Sequence, residues 1–492
     1  MPVTTVIGSG FSGLSSAAFL SKAGHEVHVF EKNAEPGGRA RQFLTPGGYL
    51  FDMGPSWYWM PDVFEKFFAE FGHTAADFYD VKLLDPSFEM VFGKNDSLVV
   101  PADFKALCEL FDSIEPASCD RLIKFMKEAE MKYRIGMEEF VYQPSLSIME
   151  FMSPRILKNI WQLNIFSSFR RHIRNYFSHP KLLALMEFPV LFLGGTAENT
   201  PALYTLMNYA GLKLGTWYPM GGFGKVIGAM KKIAEDQGAQ FHFQSNVDKI
   251  QIQDRSACSL LVNGQTFYTD GIIAAADYEH VENQLLTTGV KNYHNGYWNH
   301  KVFAPSCLIF YLGINKRIPR LLHHTLFFDE SLDQHGKEIY DQPQWPSKPL
   351  FYVCCPSKTD PGVAPPGHEN IFMLMPIASG LEDNEEIRER YFEIMMNRLE
   401  QYCGMAIRPN VDYKQSYCIN DFKNDYNSFK GNAYGLANTL KQTALLRPSI
   451  RNAKINNLFY AGQLTVPGPG VPPAIISGKI AADLLQKTLR KA

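Results

Sequence analysis

The chain lacks the features that would assign it to several common classes of protein. Its 492 residues carry a net charge of −2, and no stretch interleaves basic and aromatic residues, so we do not expect nucleic acid as a partner. Its eight cysteines form neither a CxxC pair nor a cysteine–histidine cluster at metal-binding spacing, so we predict no metal site and no disulfide framework. Scattered cysteines of this kind are typical of reduced thiols in a cytoplasmic protein.

Segments for export or for crossing a membrane are also missing. The sequence starts directly with the strand-like residues VTTVI, without the basic and apolar regions of a secretory signal. The longest uncharged stretch, residues 455–478, is long enough to span a bilayer but contains prolines and glycines that interrupt a helix. We therefore predict no transmembrane helix.

The same stretch contains the most unusual loop of the chain. Residues 462–473 read GQLTVPGPGVPP, with four prolines and three glycines, so they cannot form a regular helix or a central strand. Pro472 and Pro473 suit the first turn of a following helix, where the missing N–H costs no hydrogen bond. The residues of that helix predicted to form its buried face are Ile476, Ile480 and Leu484.

The N-terminal residues carry a dinucleotide-binding fingerprint. VIGSGFSG places Gly8, Gly10 and Gly13 between a predicted strand and a predicted helix. These glycines permit a tight turn and a close approach of the backbone to a diphosphate. Glu31 follows the next predicted strand, where its carboxylate can accept hydrogen bonds from the ribose hydroxyls.

A second glycine turn favours FAD over NAD. Gly37 lies six residues beyond Glu31 and, with Gly38, allows another close backbone approach, while Arg39 supplies a cation for a phosphate. Two such turns suit FAD, which is held along its whole length, and a single fingerprint leaves no second site for NAD. The alternative for Arg39 is a solvated surface charge.

The order of elements predicts an α/β protein, with a discontinuous Rossmann-like FAD-binding domain and a mixed-sheet and helical domain that faces substrate and membrane. The first βαβ unit is predicted as a strand at residues 3–7, a helix at 13–23 and a strand at 25–30. Asn263-Gly264 predicts a two-residue hairpin turn. The FAD-binding domain is predicted to comprise residues 1–85, 215–290 and 450–492, and the substrate-binding domain residues 86–214 and 291–449.

Seven stretches, ordered along nearly the whole chain, resemble the motifs of one family. They read GSGFSG, FEKNAEPGGRA, FDMGPSWYWMP, YPMGGFGKVI, DPGVAPPG, NAYGLANTLKQTALLRP and LFYAGQLTVPGPGVPPAIISGKIAADLL. They resemble the motifs of the carotenoid (phytoene) desaturases, which belong to the amine-oxidase-like superfamily of FAD flavoproteins. Gln463 departs from the pattern of many superfamily members, which have an acidic residue there, and this argues against a polar amine as substrate.

The resemblance implies where FAD binds. It places the 462–473 loop beside the isoalloxazine ring and the N-terminus of the following helix at the pyrimidine edge, where the helix dipole stabilises negative charge on the reduced ring. It also places the backbone of Val247 near the adenine, and Gly462 near the diphosphate or the ribityl chain. Fingerprint and resemblance together predict as cofactor-binding residues Gly8, Gly10, Phe11, Ser12, Gly13, Glu31, Lys32, Gly38, Arg39, Gly54, Pro55, Ser56, Val247, Gly462, Gln463, Gly470, Val471 and Pro472.

Residues 151–186 are a candidate membrane-associating helical segment. They contain no Asp or Glu, and basic residues alternate with apolar ones, as in helices that lie at a membrane surface. The alternative is a solvated helical face above core aromatics. The basic residues are Arg155, Lys158, Arg170, Arg171, Arg174 and Lys181, and the apolar ones include Ile156, Ile160, Trp161, Ile165, Phe166, Phe169, Ile173 and Phe177.

Several residues near the predicted flavin have no assigned role. Trp57, Tyr58 and Trp59 follow the FDMGP turn and either line a polyene tunnel or pack in the core. His323 and His324 are interpreted as structural, because adjacent side chains point in different directions and no third ligand is spaced nearby. We identify no residue as the catalytic acid or base, and none as a metal ligand.

The resemblance implies an FAD-dependent desaturase that converts phytoene towards lycopene by hydride transfer to flavin. The alternatives are a desaturase of a later carotenoid, such as a hydroxylated carotenoid 3,4-desaturase, a carotenoid isomerase, or a prenyl-binding escort protein without flavin. Expected partners are a carotenoid, membrane lipid, and oxygen or a quinone as electron acceptor. The expected location is cytoplasmic, with peripheral attachment to a membrane; the number of desaturation steps and the oligomeric state stay open.

Overall fold

The structure, a computed structural model, describes residues 1–152, 163–165, 167–294 and 296–491. Its strands are β1 (Val3–Ile7), β2 (Glu26–Phe30), β3 (Gln42–Leu44), β4 (Leu50–Asp52), β5 (Val81–Leu83), β6 (Phe88–Gly93), β7 (Asp96–Val100), β8 (Trp217–Pro219), β9 (Gln240–His242), β10 (Val247–Gln253), β11 (Ser256–Val262), β12 (Gln265–Tyr268), β13 (Gly271–Ala274), β14 (Ser306–Ile314), β15 (His324–Phe327), β16 (Phe351–Cys354), β17 (Glu369–Ile377), β18 (Val411–Tyr417) and β19 (Leu458–Tyr460).

Its α-helices are α1 (Phe11–Lys22), α2 (Pro61–Ala69), α3 (Phe104–Ile114), α4 (Ser118–Ile135), α5 (Phe169–Arg174), α6 (Pro180–Glu187), α7 (Val190–Leu193), α8 (Leu206–Leu212), α9 (Phe223–Asp236), α10 (Tyr278–His280), α11 (Leu332–Tyr340), α12 (Glu385–Cys403), α13 (Ile419–Tyr426) and α14 (Val471–Leu489). Short 3₁₀ turns connect many of these elements.

A five-stranded parallel sheet has the order β19-β13-β1-β2-β9. It confirms the predicted α/β class and the N-terminal βαβ unit. Helix α1 begins at Phe11 rather than at residue 13, because Gly10 is still extended and its carbonyl accepts the first helical bond, from Leu14 N. The strands come from both ends and the middle of the chain, so the sheet is discontinuous in sequence, as predicted.

Helix α14 packs along α1 on this sheet. Ser15 Oγ of α1 donates to the Ile475 carbonyl at 2.7 Å, and Ser16 Oγ donates to the Gly478 carbonyl at 3.0 Å. The small side chains of α1 permit this close contact between the helices. Of the predicted buried face of α14, Ile476 and Ile480 are buried and Leu484 is half-buried; Leu485, one residue on, is fully buried.

A seven-stranded mixed sheet has the order β18-β14-β17-β16-β15-β6-β7 and is antiparallel except between β15 and β6. Because side chains alternate along a strand, its two faces bury different residues. Phe310 packs against Phe392 of α12 on one face. Ile309 belongs to the other face, which shares its hydrophobic core with the parallel sheet. On that face Ile309, Leu374, Tyr352 and Leu326 are direct neighbours on four successive strands.

The remaining sheets are small. Strands β10, β11 and β12 form an antiparallel sheet, and Asn263 and Gly264 have the positive φ values of a two-residue turn between β11 and β12, which confirms the predicted hairpin. Strand pairs β3-β4 and β5-β8 complete the sheets among the described residues. Helices α3 to α8 form a helical block that lies between β7 and β8 in the sequence.

The candidate membrane-associating segment is described only in part. Phe169, Ile173 and Phe177 are buried, and Arg170 pairs with Glu187 at 3.1 Å and with Asp333. Acids from other elements therefore neutralise a basic residue of a stretch that has none of its own, while Arg171 stays exposed. Outside the described residues lie Arg155, Ile156, Lys158, Ile160, Trp161 and Phe166. Among the described helices, none combines the length and the apolar character needed to cross a membrane.

Candidate functional site

A large cleft lies at the carboxyl ends of the parallel strands. Its walls include Gly8 after β1, Glu31 after β2, Ala275 after β13 and Ala461 after β19. This is the edge of an open α/β sheet where ligands bind. The cleft encloses about 1620 Å³ of empty space, which includes the open solvent at its mouth. The residues that line it come from the N-terminal, central and C-terminal parts of the chain, as expected for a ligand that is held along its whole length.

The glycine fingerprint forms one wall of this cleft. A Cβ on Gly13 would lie 2.0 Å from the Gly8 carbonyl oxygen, so only glycine allows the loop to fold against the first turn of α1. That first turn has N–H groups without partners inside the helix. Gly10, Phe11 and Ser12 line the cleft, so these donors and the positive end of the helix dipole are available to a phosphate.

Glu31 fixes the loop beside the end of β2. Its Oε2 accepts hydrogen bonds from the N–H of Ser9 at 2.9 Å and the Ser9 hydroxyl at 2.8 Å. Its Oε1 accepts from the N–H and the side-chain amide of Asn33, both at 2.9 Å. The carboxylate is thus held rigidly at the cleft wall. Lys32 also lines the cleft, but its Nζ donates to the Asn424 carbonyl at 2.6 Å and is directed towards α13.

Arg39 places a cation in the cleft without a carboxylate partner. Its Nη2 donates to Ser428 Oγ and to the Asn432 carbonyl, both at 3.1 Å, and its Nε is buried without a partner. Among the described residues, no acid lies within ion-pair distance of its guanidinium. Burial lowers the pKa of Arg39, with Asp277 opposing that shift. A buried cation of this kind is stabilised by an anion, which fits the diphosphate of FAD.

Asp277 lines the same cleft but is not among the cofactor-binding residues predicted from the sequence. It follows β13 as the N-cap of α10, where its carboxylate accepts from the N–H groups of Glu279 and His280. Burial raises its pKa to about 6, although Arg39 opposes the shift. The signal was available, because Asp277 follows a strand end at the same sheet edge as Glu31.

The C-terminal loop closes the cleft. The N–H of Gly462 donates to Ser477 Oγ at 2.9 Å, which ties the start of the loop to α14. With its amide oriented so that donors meet acceptors, Gln463 donates to the Ala433 carbonyl at 3.2 Å and accepts from Arg39 at 3.0 Å. Helix α14 begins at Val471 with prolines in its first turn, as predicted, and its N-terminus is directed into the cleft.

The structure brings most of the predicted cofactor residues together. Those that line the cleft are Gly8, Gly10, Phe11, Ser12, Glu31, Lys32, Gly38, Arg39, Gly54, Pro55, Val247, Gly462, Gln463, Gly470 and Val471. The other three lie just behind the wall. Gly13 packs beneath the fingerprint loop, Pro472 is in the first turn of α14, and Ser56 is hydrogen-bonded to Tyr352 OH at 3.0 Å.

Beside the cleft, the mixed sheet carries a buried polar group. Ile309 and Leu374 line the cleft, and Tyr352 is the neighbour of Leu374 on the next strand. Tyr352 OH is hydrogen-bonded to His324 Nδ1 at 2.6 Å. The indole of Trp57 stacks on the His324 ring, with the centroids 4.2 Å apart and the planes 8° from parallel.

The other two aromatic residues of the WYW sequence pack in the core. Tyr58 stacks on Phe64 at 4.2 Å and shares a hydrogen bond with Tyr79. Trp59 Nε1 donates to Thr216 Oγ1 at 2.9 Å. Core packing is therefore the alternative that holds for these two residues, while Trp57 lies between the core and the His324 ring.

Two reasons for interpreting His323 and His324 as structural were wrong: their rings lie close together, with centroids 4.5 Å apart, and a third potential ligand, Cys354, lies beside them. One ring nitrogen of each histidine and Cys354 Sγ lie within 4.8 Å of one another, and all three residues are buried. A closed zinc site needs four ligands, and this group offers three. We assign no metal to it.

Known proteins match this chain over nearly its whole length. Residues 11–486 match the protein family described as flavin containing amine oxidoreductase. A carotenoid 3,4-desaturase from Haloarcula japonica is 38% identical over 482 residues, 98% of this chain and 97% of that protein. A zeta-carotene-forming phytoene desaturase from Myxococcus xanthus is 27% identical over 489 residues, 98% of this chain and 93% of that protein.

Solved structures share the fold at lower identity. An oxidoreductase from Methanosarcina mazei aligns with a TM-score of 0.64 and 17% identity over 98% of this chain and 99% of its own. Putrescine oxidase bound to putrescine aligns with a TM-score of 0.63 and 13% identity over 99% of both chains. At these identities the alignments establish the architecture.

Proposed function

Because the chain belongs to the carotenoid desaturase family of flavin-containing amine oxidoreductases, we propose that it removes two hydrogens from a CH–CH unit of a carotenoid. The protein is an FAD-dependent oxidoreductase. Bound FAD supplies the two-electron oxidation by accepting a hydride. The supporting observation is a cleft at the carboxyl ends of the parallel strands, lined by the glycine fingerprint on one side and by the apolar side chains of Ile309 and Leu374 of the mixed sheet on another.

In this proposal the protein orients FAD through residues from both ends and the middle of the chain. The N–H groups at the start of α1 bind the diphosphate together with Arg39, and Glu31 accepts hydrogen bonds from the ribose. The N-terminus of α14 favours negative charge on the ring by about 0.3–1 kcal/mol. Residues 1–85, 215–290 and 450–492 then act as the FAD-binding domain, and residues 86–214 and 291–449 as the substrate-binding domain.

We also propose where the new double bond forms, on the basis of the relatives. The 38% identity to a 3,4-desaturase exceeds the 27% identity to a phytoene desaturase. This difference favours 3,4-desaturation of a later carotenoid over the conversion of phytoene towards lycopene, which is the second candidate. Oxygen or a quinone would reoxidise the flavin in either case.

Pigment analysis in engineered bacteria tests the proposal. The chain is expressed in one strain that accumulates phytoene and in another that accumulates a hydroxylated carotenoid with a saturated 3,4-bond. Each desaturation lengthens the conjugated system, so the absorption spectra of separated pigments identify both the substrate and the number of steps. Conversion only in the second strain supports 3,4-desaturation, and conversion in the first supports the phytoene assignment. Flavin-loaded protein that converts neither substrate would contradict carotenoid desaturation.

Peripheral attachment to a membrane is part of the proposal. Ile148 and Met149 expose 65% and 71% of their surface, and Leu146 and Met152 are exposed beside them. This apolar group directly precedes the basic and apolar residues 153–162 in sequence. Exposed apolar side chains next to basic ones suit a surface of anionic lipid, and a carotenoid dissolved in that lipid would enter from it.

A further inference from the structure

The part of the cleft wall that the mixed sheet forms is apolar, and a tyrosine lies beside it. Ile309, Leu374, Cys307 and Tyr434 all line the cleft. Ile309 and Leu374 are direct neighbours on β14 and β17. Cys307 lies two residues before Ile309 on β14, so its side chain is on the same face of the sheet. A phenol hydroxyl next to such a wall must find its hydrogen-bond partner either in the protein or in a ligand.

The hydroxyl of Tyr434 does not find its partner in the protein. Among the described residues it makes no hydrogen bond, and burial and the neighbouring Cys307 thiol both raise its pKa. The phenol therefore keeps its proton at neutral pH and can donate as well as accept. Tyr278 also lines the cleft, but its hydroxyl donates to the Ser449 carbonyl at 2.8 Å. The Tyr434 hydroxyl is thus the one of these two that is available to a ligand.

Tyr434 lies at the end of the cleft that the C-terminal loop closes. In the amide orientation given above, Gln463 of that loop donates to the Ala433 carbonyl at 3.2 Å. A Cβ on Gly435 would lie 2.7 Å from the Gln463 carbonyl oxygen. The residues on both sides of Tyr434 therefore pack against the loop. In the proposed function this loop and the N-terminus of α14 adjoin the flavin ring, so Tyr434 lies between the ring end of the cleft and the apolar wall.

We infer that the Tyr434 hydroxyl hydrogen-bonds a hydroxyl group of the carotenoid and so selects a hydroxylated substrate over a hydrocarbon. The inference rests on the proposed function, because it requires the reacting CH–CH unit to lie beside the flavin ring. A substrate hydroxyl that reaches Tyr434 is then only a few carbons from that unit. A hydrocarbon in the same position would leave the phenol hydroxyl unpaired beside apolar side chains, which costs free energy.

The test compares Tyr434→Phe with Tyr340→Phe. Each substitution removes one hydroxyl and keeps the ring. Tyr340 OH is also buried without a hydrogen-bond partner among the described residues, but Tyr340 lies at the end of α11 and does not line the cleft. Tyr340→Phe is therefore a matched control for the loss of an unpaired phenol hydroxyl.

Competition between carotenoids in the same vesicle measures the selection. FAD-loaded protein is added to anionic phospholipid vesicles that contain two carotenoids of equal chain length, each with one saturated CH₂–CH₂ unit. One is a hydrocarbon, and the other carries a hydroxyl within a few carbons of the saturated unit. In a second mixture, the hydrocarbon competes with the isomer that is hydroxylated at the opposite end. The ratio of desaturated products gives the ratio of kcat/KM directly, because both substrates share one vesicle. The dissociation constant of FAD is measured in parallel.

We expect the wild type to prefer the carotenoid hydroxylated near the saturated unit by at least about tenfold over the hydrocarbon, and to show little preference for the opposite isomer. Tyr434→Phe should reduce that preference by about tenfold, since one hydrogen bond is lost and no polar group is left unpaired by the hydrocarbon. Its FAD dissociation constant should stay within about twofold of the wild-type value. Tyr340→Phe should retain both the preference and the affinity of the wild type.

Several outcomes would overturn the inference. Equal use of the hydrocarbon and the hydroxylated carotenoid by the wild type would show that no hydroxyl is recognised, whatever the variants do. An unchanged preference in Tyr434→Phe would exclude this residue as the partner, even if the variant converts both carotenoids more slowly. Weaker FAD binding with an unchanged preference would assign the hydroxyl to the flavin. Wild-type protein that converts none of the carotenoids would overturn the proposed function as well, whereas the other outcomes leave it intact.

Discussion

Among single residues, Arg39 is the one whose charge we expect to contribute most directly to FAD affinity. Its guanidinium has hydroxyl and carbonyl partners but no carboxylate among the described residues. Hydrogen bonds to charged groups contribute about 1.5–3 kcal/mol each. We expect Arg39→Ala to weaken FAD binding by about 10- to 100-fold, measured by equilibrium dialysis of the apoprotein. Arg255→Ala removes an exposed arginine elsewhere and should leave the FAD dissociation constant unchanged; equal affinity in Arg39→Ala would contradict the diphosphate assignment.

Lys132 is a buried basic residue, and its contribution to the free energy of unfolding depends on pH. The side chain is fully buried, and Nζ donates to the Ala202 carbonyl and Thr205 Oγ1. Burial lowers its pKa to about 8, with the Glu128 carboxylate opposing the shift. Between about pH 8 and the usual lysine value of about 10.4, the unfolded chain binds the proton and the folded chain does not. The free energy of unfolding contributed by this group therefore rises with pH across that window.

Thermal unfolding of Lys132→Met checks this sign. Loss of the hydrogen bonds shifts the melting temperature of the variant by an amount that does not vary with pH. The informative quantity is therefore the change with pH in the difference between the melting temperatures of the wild type and the variant. The melting temperature of the wild type minus that of Lys132→Met should increase from pH 8 to pH 10. Lys124→Met, which removes an exposed lysine of the same helix, should give a flat difference. A flat difference for Lys132→Met as well would mean that the buried amine titrates normally.

At the scale of the element, the contact between α1 and α14 determines the shape of the cofactor wall. A Cβ on Gly478 would lie 2.3 Å from the Ser12 carbonyl oxygen, so Gly478→Ala forces the two helices apart. We expect the variant to lose stability and FAD affinity together, because α1 and α14 both direct their N-termini into the cleft. Gly228→Ala in α9 is the matched control, since its Cβ meets nothing within 4 Å. It should be neutral or stabilise by about 0.5–1 kcal/mol.

Calorimetry and FAD titration of both glycine variants separate the two effects. A destabilised Gly478→Ala that binds FAD normally would mean that α14 can shift without changing the wall. A Gly478→Ala variant as stable as Gly228→Ala would contradict the close packing itself.

The exposed apolar segment before residue 153 is the element expected to contact lipid. Each large apolar side chain contributes about 1.5–3 kcal/mol when it is fully buried. Ile148→Glu combined with Met149→Glu should therefore reduce co-sedimentation with anionic phospholipid vesicles by more than about tenfold. Tyr268→Glu changes an exposed aromatic on the β12 hairpin and should have little effect. Unchanged binding of the double variant would remove this segment from the membrane surface.

At the scale of the whole molecule, the sequence predicts best what depends on local patterns. The βαβ unit, the Asn263-Gly264 turn and the proline-initiated α14 each follow from a few adjacent residues, and the structure has all three. The hydrogen bond between Ser56 and Tyr352 joins residues 296 positions apart, and the register of β15 and β16 brings Tyr352 to His324, so only the tertiary fold brings the three together. The adjacent residues His323 and His324 likewise have different hydrogen-bond partners, Thr359 and Tyr352, which the local sequence does not reveal. The ion pairs of Arg170 with Glu187 and Asp333 are likewise non-local, and a charge count within residues 151–186 cannot find them.

The cofactor should hold the discontinuous parts of the molecule together. The cleft walls come from residues 7–55, 245–285 and 461–474, with further residues from the mixed sheet and from 422–434. A ligand that binds only the folded state stabilises it by about 2.7 kcal/mol at a concentration 100 times its dissociation constant. Removal of FAD should therefore lower the melting temperature and expose the chain to limited proteolysis in all three regions at once. Re-addition of FAD should restore both properties, while NAD at the same concentration should not. Protection of the N-terminal region alone would mean that FAD contacts the fingerprint without reaching the C-terminal loop, which would contradict the binding mode proposed above.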